Sequence, residues 1–468
     1  MPVIPSQFHL LDYTKILKEL IFLSSQKNVN NSHQNPDIIS FSFNIDPLDS
    51  LIFFSVMKEE NQLSFYWENQ RKQESIVAIS ALKSLTINHS LKEDDNRFSL
   101  CQKFITETRQ KLANDQAYFF SYFSFFNSYH NLSHSFPLAT IFLPAIQLLK
   151  KDNIYTLTIN TYNNPENINL IKQYINNNFS QKIISSYQNF TEEKNTLHYS
   201  LAEDQYQSFI DKVNLGLEAI HTKKLTKIVV AHSLEVKTNK NFNIIKSLNN
   251  LRKNYPDCYV FSISNQNQEH FIGASPERLL SIKDNTIISD ALAGSAPRGK
   301  NEEDDNYIGN KLLDSEKEKR EHQIVSDFIF NQLLTMGLSP RKSTLKLLKL
   351  SNIQHLWTPI NAQINTDLNP LEIIEKLHPT PAVAGIPTDI ACTEIQALEK
   401  FDRALYSAPI GWLNRQGNCE FVVGIRSALI KGNYARLFAG AGIVEGSKPE
   451  QELIEIKLKF QALLQALI

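Results

Sequence analysis

The chain has 468 residues, with 48 Lys plus Arg against 49 Asp plus Glu, for a formal net charge of -1. That balance argues against a broad nucleic-acid surface or a polybasic membrane patch. Its 42% apolar residues are enough for a sizeable core and exclude global disorder.

Residues 1–35 read as a helix followed by an Asn/Ser/His-rich loop. This start lacks a basic segment leading into an apolar signal core, so neither a signal nor a transit peptide is expected. DIISFSFNI (37–45), SLIFFSVM (50–57), QLSFYWEN (62–69) and SIVAISAL (75–82) look like strands. FSLCQKFITETRQKL (98–112) has helical spacing. AYFFSYFSFF (117–126) and IFLPAIQLL (141–149) are too short to span a bilayer, which takes ~20 residues, and read as buried core. NIYTLTINTY (153–162) alternates as a strand. The Asn/Glu/Lys-rich stretch 163–195 reads as a linker with a helix inside it.

From about residue 200 the texture changes. Residues 204–222 form an amphipathic helix, 227–238 a strand and 242–257 a helix. CYVFSISN, HFIGASPERLLSI and NTIISDALAG are strands joined by short turns, the last being KDN. One long helix is expected from about 306 to 335. CEFVVGIRSALIKGNYARLFAGAGI reads as a hairpin, and a final helix starts near Lys448. The mixture predicts an α+β fold, with residues 1–200 as a scaffold half and 201–468 as the catalytic region of one fold. All 14 glycines lie at or after Gly216. Glycine permits positive φ and close backbone approach to ligands, so the second half is the expected home of a site. Four widely spaced cysteines without metal-ligand spacing predict reduced thiols and a cytoplasmic (or plastid-stroma) protein.

Several residues could carry chemistry. In the final helix, Ser447-Lys448-Pro449-Glu450 reads as a capping box. Glu452, Glu455 and Lys459 then share one helix face, as a surface Glu–Lys pair or as groups projecting into a site. Glu321 has Ile324, Val325 and Phe328 on its side of a helix. A carboxylate there needs either an ion pair with a buried base or a hard cation such as Mg2+. Lys227 starts the apolar strand KIVVA. It either snorkels to solvent or serves as a partly buried base. Glu277, after Pro276, is a salt-bridge former or an acid. Arg426 falls on an apolar face of the expected strand EFVVGIRSALI, where a guanidinium wants a bidentate anion. Gly440, Gly442 and Gly446 could let backbone N–H groups approach a carboxylate. His378 stands out in a Pro-rich loop.

Taken in order, GASPERL, ALAGSAPRG, EKREHQIVSD, QHLWT, LHPTPAVAG, EFVVGIRSALI and LFAGAGIVEGSKPEQE closely resemble the chorismate-utilising enzymes over roughly 205–468. The resemblance is weaker before that. It implies a single large fold of layered antiparallel sheets with helices outside. It also implies Mg2+ at Glu321 and Glu455, with Glu452 close by. By the same resemblance, Arg426, Lys459 and the backbone at Gly440 and Gly442 would hold substrate carboxylates. Gly294 and Ser295 would line the ring, with His378, Ala382 and Tyr406 at its border. Lys227 stands where aminating relatives carry Gln, and Ala293 stands where another branch carries a nucleophilic Lys. The resemblance therefore implies water as nucleophile, with Lys227 as base and Glu277 as acid. That is isochorismate synthase chemistry, expected to serve menaquinone or phylloquinone synthesis. Salicylate synthase, a non-catalytic chorismate-binding paralogue and an amidotransferase-coupled subunit are the alternatives. Chorismate is the expected partner, with no nucleic acid, membrane or obligate amidotransferase subunit, and a monomer is expected. The chain departs from the family pattern at His232, Ser295 and Ala408.

Overall fold

The computed structural model describes residues 37–88, 96–112, 117–128, 134–164, 166–167, 199–201, 206–364 and 368–467. The readings of a helix and loop at 1–35, and most of the linker at 163–195, lie outside them.

The first half opens with β1 (Ile38–Ile45), α1 (Ser50–Met57), β2 (Ser64–Asn69) and β3 (Glu74–Ile87). Then come α2 (Arg97–Gln110), β4 (Tyr118–Phe123), β5 (Ala139–Lys151), β6 (Ile154–Tyr162) and the short β7 (Tyr199–Leu201). The second half begins with α3 (Gln207–His221), β8 (Lys227–Thr238) and α4 (Ile244–Asn254). Four strands follow: β9 (Tyr259–Ser264), β10 (His270–Ser275), β11 (Arg278–Lys283) and β12 (Thr286–Pro297). Next are α5 (Glu302–Asp314), α6 (Glu316–Thr335), β13 (Arg341–Lys342), β14 (Lys346–Lys349) and β15 (Ile353–Gln363). After α7 (Pro370–Leu377), β16 (Gly385–Ile386) and α8 (Thr388–Leu398) come β17 (Pro409–Asn414) and β18 (Cys419–Val423). β19 (Ser427–Lys431), β20 (Tyr434–Val444) and α9 (Pro449–Leu467) complete the described chain.

The named strands pair antiparallel, and the two halves interlock. β2 lies beside both β3 and β9, and β4 beside both β5 and β17. One buried cluster joins strand and loop residues alone, including Phe65, Trp67, Phe120, Phe271, Tyr406 and Phe438. It fills the space between facing sheet surfaces. A larger cluster joins strands to helices, through residues such as Phe54, Val213, Leu248, Val325 and Ile456. This is the layered α+β architecture expected, and burial of these apolar faces is its main driving force. AYFFSYFSFF and IFLPAIQLL do form core strands. Among the described residues no helix is long and apolar enough to cross a membrane. All four cysteines are free thiols.

Four local expectations are corrected. SLIFFSVM is a helix, because the Asp49 carboxylate accepts from the N–H groups of Leu51 and Ile52. An apolar run has no period to separate strand from helix, and the N-cap decides. The long helix starts earlier, at Glu302, and breaks at Ser315. That residue leaves helical geometry (ψ 112) and uses its hydroxyl to start α6. Arg426 is not on a continuous strand. The chain turns between β18 and β19, and Arg426 sits there at φ 51. A side chain on Gly424 would collide with the Leu405 carbonyl, 2.4 Å from its Cβ position, so the turn stays closed. Finally, α9 begins as expected, but without a Ser447 capping box. The Ser447 hydroxyl accepts from the Val444 N–H instead (3.2 Å).

Candidate active site

A cleft of ≈ 810 Å³, measured with its open mouth, is the place where the chemistry-bearing residues meet. Its described walls all come from residue 229 onward. Local devices aim each group. Gly294 takes φ +76 and interrupts the β12–β15 register, so that Ser295 faces His355. Such a bulge re-aims the side chains on either side of it. Glu277 occupies the break between β10 and β11. The Ser275 hydroxyl caps its N–H, and its C=O accepts from Val423 N (3.1 Å). On β20, Gly442 pairs with Val229 and Gly440 with Ala231. A Cβ at Gly442 would lie 2.3 Å from Glu321 Oε1, and one at Gly440 2.8 Å from the Tyr406 hydroxyl. Both glycines therefore hold open the wall of the cleft.

Of the expected residues, Glu277, Gly294, Ser295, Glu321, Ala382, Tyr406, Arg426, Gly440, Gly442, Glu452, Glu455 and Lys459 all line this cleft. Two do not. Lys227 is fully buried just behind the wall, with its Nζ 2.8 Å from Glu321 Oε1. The pair is close in distance but not aligned as a hydrogen bond. One earlier reading is thereby refined: Lys227 does not snorkel to solvent, and its Nζ stands beside the Glu321 carboxylate. His378 lies behind the Tyr406 loop, donating to the Ser407 carbonyl (3.1 Å) and meeting Phe125 edge-on.

The electrostatics sort the groups. Burial raises the Glu277 carboxyl to about 8, partly countered by the Lys227 charge. It therefore carries a proton near neutral pH. Burial, then repulsion from Glu321, raises Glu318 to about 7, and burial with Glu455 raises Glu452. Burial opposes the charge of Glu455, but Lys459 at 2.7 Å outweighs it and the carboxyl is lowered. Burial, then the Arg426 and Lys459 charges, depress His355 to about 3, leaving it neutral. Its Nε2 is 3.4 Å from Arg426 Nη2. Burial also lowers Arg426. No carboxylate pairs with this guanidinium among the described ion pairs, so its fork is available to an anion.

Glu318, Glu321, Glu452 and Glu455 thus share one cleft with Lys317 and Lys459. Lys317 Nζ is 3.2 Å from Glu452 and 3.5 Å from Glu318. Among the described residues no three ligating side chains converge closely enough to hold a metal ion as they stand. The donor set itself is all hard carboxylate oxygen, and the mutual repulsion that raises Glu318 is what a divalent cation would relieve. Sequence reasoning missed Lys317, Glu318 and His355. The first two stand four and three residues before Glu321, a helical spacing that could have found them. Nothing local singled out His355.

Comparison with known proteins agrees with this picture. The family model described as chorismate binding enzyme matches residues 23–468. The chain is 33% identical over 444 residues to isochorismate synthase MenF of Bacillus subtilis, covering 92% of this chain and 93% of that one. It is 36% identical over 262 residues to the salicylate biosynthesis isochorismate synthase of Pseudomonas aeruginosa, 55% of this chain and 54% of that one. The solved structure of MenF, the menaquinone-specific isochorismate synthase from Escherichia coli, superposes with a TM-score of 0.76 at 24% identity. That match covers 97% of this chain and 100% of that one. By this full-length match, the chain belongs to the family of chorismate-binding enzymes.

Proposed function

We propose that the protein is an isochorismate synthase, converting chorismate to isochorismate by adding water at C2 and expelling the C4 hydroxyl. The observation that carries the reading is one cleft that brings together the buried Glu277 carboxyl, the Arg426 and Lys459 cations and a carboxylate set, with the buried Lys227 just behind its wall. Burial raising Glu277 to about 8 supports its part as acid. Lys227 takes the proton from the attacking water. Glu277 gives its proton to the departing hydroxyl. Such a pair needs an acid that holds its proton and a base that can accept one at the same pH. Arg426 and Lys459 offer charge to the substrate carboxylates, and Tyr406, Ala382, Gly294 and Ser295 border the ring. Gly440 and Gly442 leave room for close approach of that ligand. His378 supports this border from behind.

Mg2+ is the proposed cofactor, with Glu321 and Glu455 as ligands and Glu452 nearby. When bound, it would neutralise and orient a substrate carboxylate. Residues 1–200 act as scaffold for the catalytic region 201–468, and the enzyme works as a cytoplasmic monomer without an amidotransferase subunit. A quinone pathway is favoured because similarity to the Bacillus MenF runs through nearly the whole chain, whereas the match to the salicylate-pathway enzyme spans about half. The test is incubation with chorismate and Mg2+, followed by chromatography. Isochorismate without pyruvate supports the assignment. Salicylate with stoichiometric pyruvate, or no conversion of chorismate, overturns it.

A further inference from the structure

Strand β8 carries Lys227, and on one side it pairs with β20 along its length. On its other side it meets only short strands, with β7 pairing at Val236–Thr238 and β16 at its start. The two-residue β16 pairs with Lys227 and Ile228, and Val229 N–H donates to Ala384 O (2.6 Å). Two residues further on, the outward groups of Ala231 meet side chains instead of a strand. Its N–H donates to Glu399 Oε1 (2.8 Å), and its C=O accepts from Lys212 Nζ (3.2 Å). Unpaired backbone groups buried at a strand edge are costly, so these side chains replace a neighbouring strand.

Glu399 is committed elsewhere as well. Arg403 donates to it through Nε and Nη2, both at 2.6 Å, a bidentate pair with both side chains almost wholly buried. The Arg403 guanidinium stacks on Phe125 (4.1 Å to the ring centre) and approaches the Tyr406 ring (5.6 Å). The Tyr406 N–H donates to the Arg403 carbonyl (2.7 Å). The stretch just after Arg403 is strained: Ala404 and Ser407, which flank Leu405 and Tyr406, both take positive φ (49 and 62) without being glycine. Such backbone persists only where its surroundings fix it. The Tyr406 hydroxyl then faces Gly440, the partner of Ala231 on β20. A closed circuit results, running from Ala231 through Glu399, Arg403, Tyr406 and Gly440 back to Ala231.

We propose that Glu399 and Arg403 are positioning residues, a buried pair that ties the strand carrying Lys227 to the loop carrying Tyr406 and so fixes the ring border of the cleft. Neither lines the cleft. This proposal rests on the isochorismate synthase reading only for its kinetic arm. A planar, bidentate guanidinium is needed, so Lys at 403 should not substitute.

The experiment compares Glu399→Gln and Arg403→Lys with the parent enzyme, each also combined with Tyr406→Ala. Two readouts are taken: steady-state kinetics with chorismate and amide hydrogen exchange of peptides containing Ala231 and Tyr406. Arg403→Lys should raise KM about tenfold with kcat changed by less than about threefold, and this effect should vanish in the Tyr406→Ala background. Exchange at both peptides should accelerate together in each single variant. A plain loss of folded protein would instead lower kcat in proportion to the active fraction and leave KM unchanged, which would overturn the proposal. So would additivity with Tyr406→Ala, or exchange that rises at one peptide alone. If a variant fails to fold, Glu399→Asp, which keeps the charge and shortens the reach, is read the same way. A parent enzyme inactive on chorismate would remove the functional reading, and the exchange data would still decide whether the tie exists.

Discussion

Replacing Gly442 by Ala adds one methyl group at the most crowded point of the cleft. The backbone there is not in the left-handed region, so alanine adds no conformational strain. The effect must come from contact. The new Cβ would stand 2.3 Å from Glu321 Oε1 and 3.1 Å from Lys227 Cε. An ordinary carbon–oxygen contact is about 3.4 Å or more, so the carboxylate must retreat by roughly 1 Å. It can do so by rotating, because it is the end of a side chain. The fold should therefore survive, with Tm lowered by the weakening of the buried Lys227–Glu321 pair, which costs at most about 3–5 kcal/mol if wholly broken. The Lys227–Glu321 pair, 2.8 Å apart, cannot stay as it is. A displacement of about 1 Å among reacting groups can cost on the order of 10²-fold in rate. The expected result is thus a fall of about 10²-fold in kcat/KM for chorismate, with weakened Mg2+ binding by calorimetry. Thermal unfolding and the chromatographic assay measure the two halves of the prediction. Parent-like kcat/KM and Mg2+ affinity in a folded Gly442→Ala protein would refute the assignment of this wall to catalysis.

Further outcomes follow from the same geometry. Lys227→Gln should lose water addition by about 10²–10⁴-fold, and undiminished conversion of chorismate would reject Lys227 as the base. Glu277 must hold its proton to act as the acid, and its carboxyl is raised to about 8. Activity should accordingly fall as pH rises through about 8, and a pH–rate profile of Glu277→Gln should lack that limb on its low residual rate. Arg426→Lys keeps the charge but removes the fork, so KM for chorismate should rise about tenfold or more, measured by initial rates. An unchanged KM would mean that the guanidinium does not hold substrate.

Much of this molecule is legible locally. The turn KDN between β11 and β12 appears as expected, with Asp284 and Asn285 both at positive φ (49 and 60), which suits a tight hairpin. Alternation foretold β6, and helical spacing foretold α2 and α3. The order of the seven stretches pointed to one family, and residues carried over from that resemblance meet in one cleft. The sequence also raised the right question about Glu321, namely what cation could satisfy a carboxylate on an apolar face.

It could not place Lys227 beside that carboxylate. The two residues lie far apart in the chain, and only the packing of α6 against the sheet brings them to 2.8 Å. The same limit explains Arg426. As a strand residue it would share a face with Val422 and Ala428, but the close approach at Gly424 forces a turn that local pattern does not register. His378 looked exposed to ligand in its Pro-rich loop and is instead packed behind Tyr406. The circuit through Glu399, Arg403 and Tyr406 was invisible for a related reason: its links are a backbone N–H, a ring face and a neighbouring strand. Periodicity and caps are properties of neighbours in sequence. Ion pairs, desolvation and steric limits depend on neighbours in space, and those set the chemistry of this cleft.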